Sequence, residues 1–269
     1  MRVGLRTLWF TTCLLLTTAF QPNAEALQLS PRFTEYPSAF YQHVEDGARE
    51  QALRQELHAI MASGHVNLGY TGARRLLFGE LHLLRTGQGY AIRDVYCRKL
   101  ATQRDFKSRP PAPGQIPDPA VLNAEHTWPQ SKFSTRFPRD IQKADLHILY
   151  PVLSRANSSR GNLEFGDVAA PLTHPCKASR RGYTARGGGT RHFEVPDEQK
   201  GDTSRAIFYF AVRYQMPVSE LQEDSLKAWH RLDPVDDFER VRNEAIYAKQ
   251  KVRNPFIDYP ELVELIGDF

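Results

Sequence analysis

A run of prolines divides this chain. Arg109-Pro110-Pro111-Ala112-Pro113-Gly114, with Pro117 and Pro119 beyond it, cannot sit inside a helix or a sheet. Each proline fixes its own φ and lacks the N–H that either ladder needs. Regular elements must therefore lie on either side of a loop over 109–119. Before it, Leu53, Leu57, Ile60 and Met61 recur on one face of a helix over 48–62, and charged residues fill the other face. Thr71, ahead of Arg74, Arg75, Leu76, Leu77 and Leu81, reads as the cap of a second, shorter helix. The β-branched and aromatic stretch from Tyr90 to Cys97 reads as a strand.

Beyond the loop the last third is helical. Ile207, Phe208, Phe210, Ala211 and Tyr214 make a strongly apolar element that begins at Asp202. Asp233-Pro234 has the cap-then-proline order that opens another helix, with Phe238, Val241, Ala245 and Ile246 as its core face. Between 174 and 201, Gly182 and the triplet Gly187, Gly188 and Gly189 interrupt most of the basic residues, and the segment reads as a mobile surface loop. The expected class is α+β, mixed and mainly helical, without internal repeats.

The first residues set the compartment. Arg2 and Arg6 precede an apolar stretch from Leu8 to Leu16, and Ala24-Glu25-Ala26 supplies a processing site, so 1–26 reads as a signal peptide. The stretch is shorter than the roughly 18 apolar residues of an anchor and is broken by threonines. Cys13 lacks the small residues that precede a lipoprotein cysteine. The expected product is a periplasmic or secreted single domain over 27–269, off the membrane. It keeps Cys97 and Cys176, an even pair that in an exported chain suggests one disulfide; two separate buried thiols are the alternative.

Without the leader the count is 33 basic against 30 acidic residues, too even to name a partner. Their distribution says more. Arg155, Arg160, Lys177, Arg180, Arg181, Arg186 and Arg191 face only Glu164 and Asp167 within their span. Such a surface suits a polyanion such as nucleic acid, and on its own is also what a solvated face looks like.

Chemistry concentrates in two blocks. Glu125-His126-Thr127-Trp128-Pro129-Gln130-Ser131 sets a carboxylate beside an imidazole just after the apolar pair Val121-Leu122, at what reads as a strand end. Neighbouring side chains on a strand point oppositely, so both serve one site only where the strand twists or stops, as Pro129 allows. About thirty residues on come Asp145-Leu146-His147-Ile148-Leu149, then Asn157, Arg160 and Asn162. Polar side chains this dense are poor core material. Trp128 and Trp229 read as packing residues. No H-E-x-x-H, phosphate-cradling glycine loop or four-cysteine zinc pattern is present, which excludes those enzyme classes.

The order E-H-x-x-P-x-S, D-L-H-x-L-x-P and N-x-x-R-x-N resembles the endonuclease I family. Phe193-Glu194-Val195-Pro196-Asp197-Glu198, Lys200-Gly201-Asp202, Trp229-His230, Asp233-Pro234-Val235 and Arg253-Asn254-Pro255-Phe256-Ile257-Asp258 are similar to that family's C-terminal half. The match runs from about Gly69 to Ile266. The resemblance implies a ββα-metal core of the His-Me finger type. His126 would be the general base, with Glu125 and Asn157 as ligands of one Mg²⁺, for which Mn²⁺ or Ca²⁺ are alternatives of the same hard chemistry. It implies a sequence-nonspecific endonuclease that contacts the backbone phosphates of DNA and RNA and leaves 5′-phosphate ends. A monomer is the expected state, although no residue pattern speaks to it.

One position departs from the family, Ile148 standing where D-L-H-N-L has asparagine. The family also places an arginine near the scissile phosphate between the two blocks, and Arg136 and Arg139 are both candidates. Arg160 and Asn162 either brace the helix carrying Asn157 or contact phosphate, and Asp145 with His147 reads as a structural hydrogen-bond network. The competing class is an exported nucleic-acid-binding protein that keeps the scaffold without catalysis.

Overall fold

The centre of the molecule is a helix buried on every side. Helix α6 (Lys200–Arg213) carries Ala206, Ile207, Phe208, Tyr209, Phe210, Ala211 and Val212 in one uninterrupted run, all buried. A helix apolar all round can only be enclosed by other elements. The structure is a computed structural model that describes residues 38–269; the leader over 1–26 and Cys13 lie outside the described residues. Around α6 pack α2 (Glu50–Ala62), α7 (Glu220–Leu232) and α9 (Pro255–Asp258). Helix α2 buries Leu53, Leu57, Ile60 and Met61, the face its periodicity predicts.

Three small sheets flank this helical centre, giving an α+β fold. The first has the order β1 (Leu83–Thr86), β2 (Gly89–Arg93), β3 (Leu100–Thr102). The strand read over 90–97 stops at Arg93, because the Asp94 carboxylate accepts from the backbone N–H groups of Tyr96 and Cys97 and bends the chain into a turn. The second sheet pairs β4 (Leu122–His126) antiparallel with β5 (Leu149–Leu153), with Glu125 opposite Tyr150 and His126 opposite Leu149. Helix α5 (Ser154–Arg160) follows β5 without a break and packs back on both strands, completing a β-β-α unit. It ends at Gly161, whose φ of 59° is readily adopted only without a side chain.

The glycine-rich segment over 174–201 is not a loop. It contains β8 (Arg180–Tyr183) and β9 (Arg191–Glu194), which join β6 (Glu164–Phe165) and β7 (Ala170–Leu172) in the order β6-β9-β8-β7. Gly182 is there for space: a Cβ would stand 2.2 Å from the carbonyl oxygen of Ala170 on the neighbouring strand. The triplet at 187–189 turns between β8 and β9 with positive φ throughout.

Three helix readings also need correction. Helix α3 (Gly69–Leu76) starts two residues before Thr71, which lies inside the helix and does not cap it. Helix α6 starts at Lys200, ahead of Asp202, and Asp233 does not open the helix after it. Its carboxylate accepts from Gly201 N at 2.8 Å, so it holds the start of α6 instead. Helix α8 (Asp237–Gln250) begins at its own cap, Asp236, which accepts from Glu239 N at 2.8 Å. Its inward face is polar: Glu239, Arg242, Asn243 and Gln250 are buried beside Ile246, while Phe238 and Val241 are 41% and 69% exposed.

Candidate active site

The end of β4 and the open face of α5 form the site. The strand terminates at His126, so Glu125 and His126 project from a strand end, where the chain leaves the sheet. From α5, Arg160 reaches across this end: Nη1 donates to Glu125 Oε1 at 3.0 Å and to the His126 carbonyl at 3.1 Å, and Nη2 donates to the Thr127 carbonyl at 2.7 Å. Asn157 stands three residues before Arg160 on the same helix, and side chains at that spacing share a face. Asn157 therefore lies on the same face of α5 as Arg160, the residue that reaches this strand end. Arg160 is 2% exposed, and the three bonds from its Nη groups tie α5 to the strand end.

Glu125 is buried, and Tyr96 also donates to its Oε1, at 2.8 Å. Both bonds fall on one oxygen; Oε2 has no hydrogen bond among the described residues. Burial pushes the carboxyl above the usual carboxylate range, and Arg160 and Tyr96 offset this only in part. Asn157 is half-buried and its side-chain amide makes no hydrogen bond among the described residues. Two hard oxygens are thus left open at one strand end, a donor set that fits a divalent cation of the Mg²⁺ kind.

His126 is fixed at both nitrogens. Nε2 lies 3.0 Å from the Lys143 carbonyl, which can only accept, so Nε2 carries the proton. Nδ1 is then the lone-pair nitrogen, and the Gln130 amide faces it at 3.3 Å. The ring lies between Tyr70, at 5.6 Å, and Phe133, at 5.8 Å between centroids. Burial lowers its pKa to about 4, and the charges of Lys143, Arg160 and Arg139 act in the same direction, so the imidazole is neutral at pH 7.

The two arginines between the blocks separate in space. Arg139 donates to the Gln130 carbonyl at 2.9 Å and lies 5.4 Å over the Phe133 ring, one residue removed from His126 on both counts. Arg136 points to a different hollow, lined by Gln51, Arg54 and His58 of α2. Asn162, read as a possible support, is exposed and has no hydrogen bond among the described residues; it follows Gly161, where the chain has already left α5. Asp145 and His147 lie one layer below. The Asp145 carboxylate accepts from His147 N at 3.1 Å, Tyr209 Oη at 3.0 Å and Tyr214 Oη at 2.8 Å, and pairs with Arg213 at 3.2 Å. His147 Nε2 is bonded to the Val252 carbonyl at 3.1 Å. This network fixes the segment that presents the Lys143 carbonyl to His126.

Four contributors were not legible in the sequence reading. Tyr96 lay in a stretch read as strand. Lys143 acts through its backbone carbonyl, for which side-chain identity carries no signal. Gln130 stood inside the first block without an assigned part, and Tyr70 gave no signal. The Cys97–Cys176 disulfide forms, with Cα atoms 4.8 Å apart, and ties the turn carrying Tyr96 to the connection between β7 and β8. Asp94 sits beside it, but its oxygens hold the backbone N–H groups of Tyr96, Cys97 and Leu153, so this cluster is architectural. Trp128 and Trp229 are both buried, as packing residues are; Trp128 stacks on Phe210 at 4.7 Å.

A model of the endonuclease I family matches residues 49–261. An extracellular ribonuclease of Bacillus subtilis (strain 168) is 31% identical over 239 residues, covering 82% of this chain and 76% of its own length. An extracellular ribonuclease of Bacillus amyloliquefaciens is 31% identical over 270 residues, covering 93% of this chain and 84% of its own. An extracellular deoxyribonuclease of Aeromonas hydrophila is 27% identical over 119 residues, 43% of this chain and 49% of its own. Among the described residues no helix is long and apolar enough to cross a membrane. With the family match spanning both motif blocks and the helices behind them, this chain belongs to the endonuclease I family of nucleases.

Proposed function

We propose that this protein is a periplasmic or secreted, metal-dependent, sequence-nonspecific endonuclease that hydrolyses phosphodiester bonds of DNA and RNA and leaves 5′-phosphate ends. The observation that carries the reading is the state of His126: a neutral imidazole, its Nε2–H held by the Lys143 carbonyl, with its lone pair on Nδ1 at the strand end where Glu125 and Asn157 keep open oxygens. Export is supported by the leader pattern and by relatives named as extracellular enzymes.

Each residue then has a definite part. Nδ1 of His126 takes a proton from the attacking water, a step typically worth about 10²- to 10⁴-fold in rate. Gln130 must turn aside for that water, and its amide is well placed to orient it. The approaching phosphate is negatively charged and opposes the depression of the His126 pKa, moving the base back toward the range where general-base catalysis works best. Glu125 and Asn157 would hold a divalent cation, which would supply positive charge to offset the charge that builds up on the phosphate in the transition state. Arg139, exposed and one residue from His126, contacts the scissile phosphate. Arg160 keeps Glu125 aimed and α5 seated.

Backbone contacts carry no base sequence, so duplex cutting is nonspecific. Relatives named for ribonuclease and for deoxyribonuclease activity support indifference to the sugar. The test is end analysis of the products from both polymers with Mg²⁺ and with excess EDTA. The expected products carry 5′-phosphate and 3′-hydroxyl ends and are absent in EDTA. Ends with 3′-phosphate or cyclic phosphate would overturn the mechanism.

A further inference from the structure

Two aromatic rings flank His126, and each of them carries cations. On the Phe133 side stands Arg139, 5.4 Å over that ring. On the Tyr70 side stand two: Lys143 Nζ lies 4.5 Å and the Arg74 guanidinium 5.3 Å from the ring centroid. Helix α3 supplies Tyr70 and Arg74, which are four residues apart and so share a face. Helix α4, packed against α3, supplies Lys143. All three side chains are half-buried, with part of each open to solvent. Elsewhere such cations find a carboxylate, as Lys132 does in Glu164 at 3.0 Å and Arg231 in Glu264 at 2.7 Å. Arg74 and Lys143 form no ion pair and no side-chain hydrogen bond among the described residues. Asp140, one turn before Lys143, instead accepts from Asn67 Nδ2 at 2.8 Å. Two like charges held on one ring repel each other, and what they lack is an anion.

We propose that Arg74 and Lys143 bind the phosphate next to the scissile one on the strand being cut. The inference rests on the nuclease reading above, in which Arg139 takes the scissile phosphate on the Phe133 side of His126. A strand drawn across His126 leads from Arg139 toward the Tyr70 ring. Its next phosphate there meets a guanidinium fork and an ammonium, which donate hydrogen bonds and accept none. Backbone contacts of this kind set the register of a strand without reading bases, so cutting stays indifferent to sequence. They do read position along the chain. A bond with no charged linkage on its Tyr70 side is cut poorly, which favours internal bonds over the last bond at one end.

The experiment uses thymidine trinucleotides in which one of the two linkages is a methylphosphonate, uncharged and not cut. Each leaves a single cleavable bond with a neutral neighbour on its 5′ or its 3′ side. Cleavage in Mg²⁺ is compared, bond by bond, with the trinucleotide that has both phosphates, for the wild type, Arg74→Gln, Lys143→Met and Arg75→Gln. Arg75 lies on another face of α3 and serves as the control. In the wild type and Arg75→Gln, neutralising the neighbour on one side should lower kcat/KM about tenfold. In Arg74→Gln and Lys143→Met the same change should cost less than about threefold, because the contact is already weakened. Equal penalties in all four proteins, or none in the wild type, would overturn the proposal. Binding of single-stranded oligothymidine in EDTA needs no cleavage. There the double variant Arg74→Gln, Lys143→Met should flatten the log–log salt slope by about 0.7, the loss of one phosphate contact; an unchanged slope would also overturn the proposal. Cutting by a protein whose slope the variant leaves unchanged rejects the phosphate subsite alone, and a flattened slope in a protein that cuts nothing rejects the nuclease alone.

Discussion

The active site and helix α8 both bury polar side chains, and they differ in what is left over. On α8, Glu239 receives Arg205 Nε at 2.8 Å, Asn243 exchanges bonds with Asn254 N and Asp258 at 2.9 Å each, and Gln250 bonds Leu146 N and the Ala144 carbonyl at 2.9 Å each. Those amides are matched at both ends, and their work is to fix the layers. At the site one Glu125 oxygen takes two bonds and the other none, and the Asn157 amide is unbonded among the described residues. Burial of polar groups does not by itself mark chemistry; atoms left open where others are saturated do.

The contrast can be broken from either side. Arg205→Met should have the largest effect on folding, because it leaves Glu239 and its acidic neighbours buried and unpaired: a loss of about 3–5 kcal/mol in urea unfolding, with the folded fraction still cutting at the normal rate. A specific loss of cleavage without destabilisation would erase the distinction. Arg139→Ala should slow cleavage by about 10²-fold at unchanged stability, whereas Arg136→Ala, in the hollow beside α2, should leave it unaltered. Equal losses in both would remove Arg139 from the site. Tyr96→Phe deletes one bond to Glu125 and should weaken the Mg²⁺ requirement curve by about tenfold, with a stability cost near 1 kcal/mol. An unshifted Mg²⁺ dependence would mean that Glu125 needs no such positioning.

The smallest effect is on acid stability. His65, with both ring nitrogens buried and without a hydrogen-bond partner among the described residues, is pushed down to about 4 by burial and by Arg213. Below its unfolded value of 6.5 the unfolded chain binds a proton that the folded chain refuses, so its contribution is complete above pH 6.5 and is lost as pH falls toward 4. His147, lowered to about 3 by burial, acts in the same sense. His65→Gln should therefore flatten the fall of the urea midpoint between pH 6.5 and 4; an unchanged slope would contradict the assignment.

The same contrast decides what the sequence could reveal. Helix α2 was legible because its inward face is purely apolar. The inward face of helix α8 is not legible because its polar side chains are matched by partners more than a hundred residues away, as Gln250 is by Leu146 and Arg242 by His82, and hydropathy records no such match. The β-rich segment over 174–201 hid behind glycines that are needed for strand contact and for turns, as at Gly182. Among site residues, Glu125, His126 and Asn157 stood out because they belong to spaced motifs. Arg136 and Arg139 did not separate until the chain turned at Phe137-Pro138 into α4 (Arg139–Ala144), which sends one to His126 and the other to α2. Lys143 contributes a carbonyl, which no residue pattern encodes.

The most direct measurement compares supercoiled plasmid cleavage and salt-dependent DNA binding by the mature wild type and by His126→Ala, with Mg²⁺. Wild-type cutting that the substitution abolishes, with binding retained in the variant and weakening steeply with salt, is the predicted result. Undiminished cutting by His126→Ala would contradict the assigned base, and folded, metal-loaded wild type that binds without cutting would leave a nucleic-acid-binding scaffold in place of an enzyme.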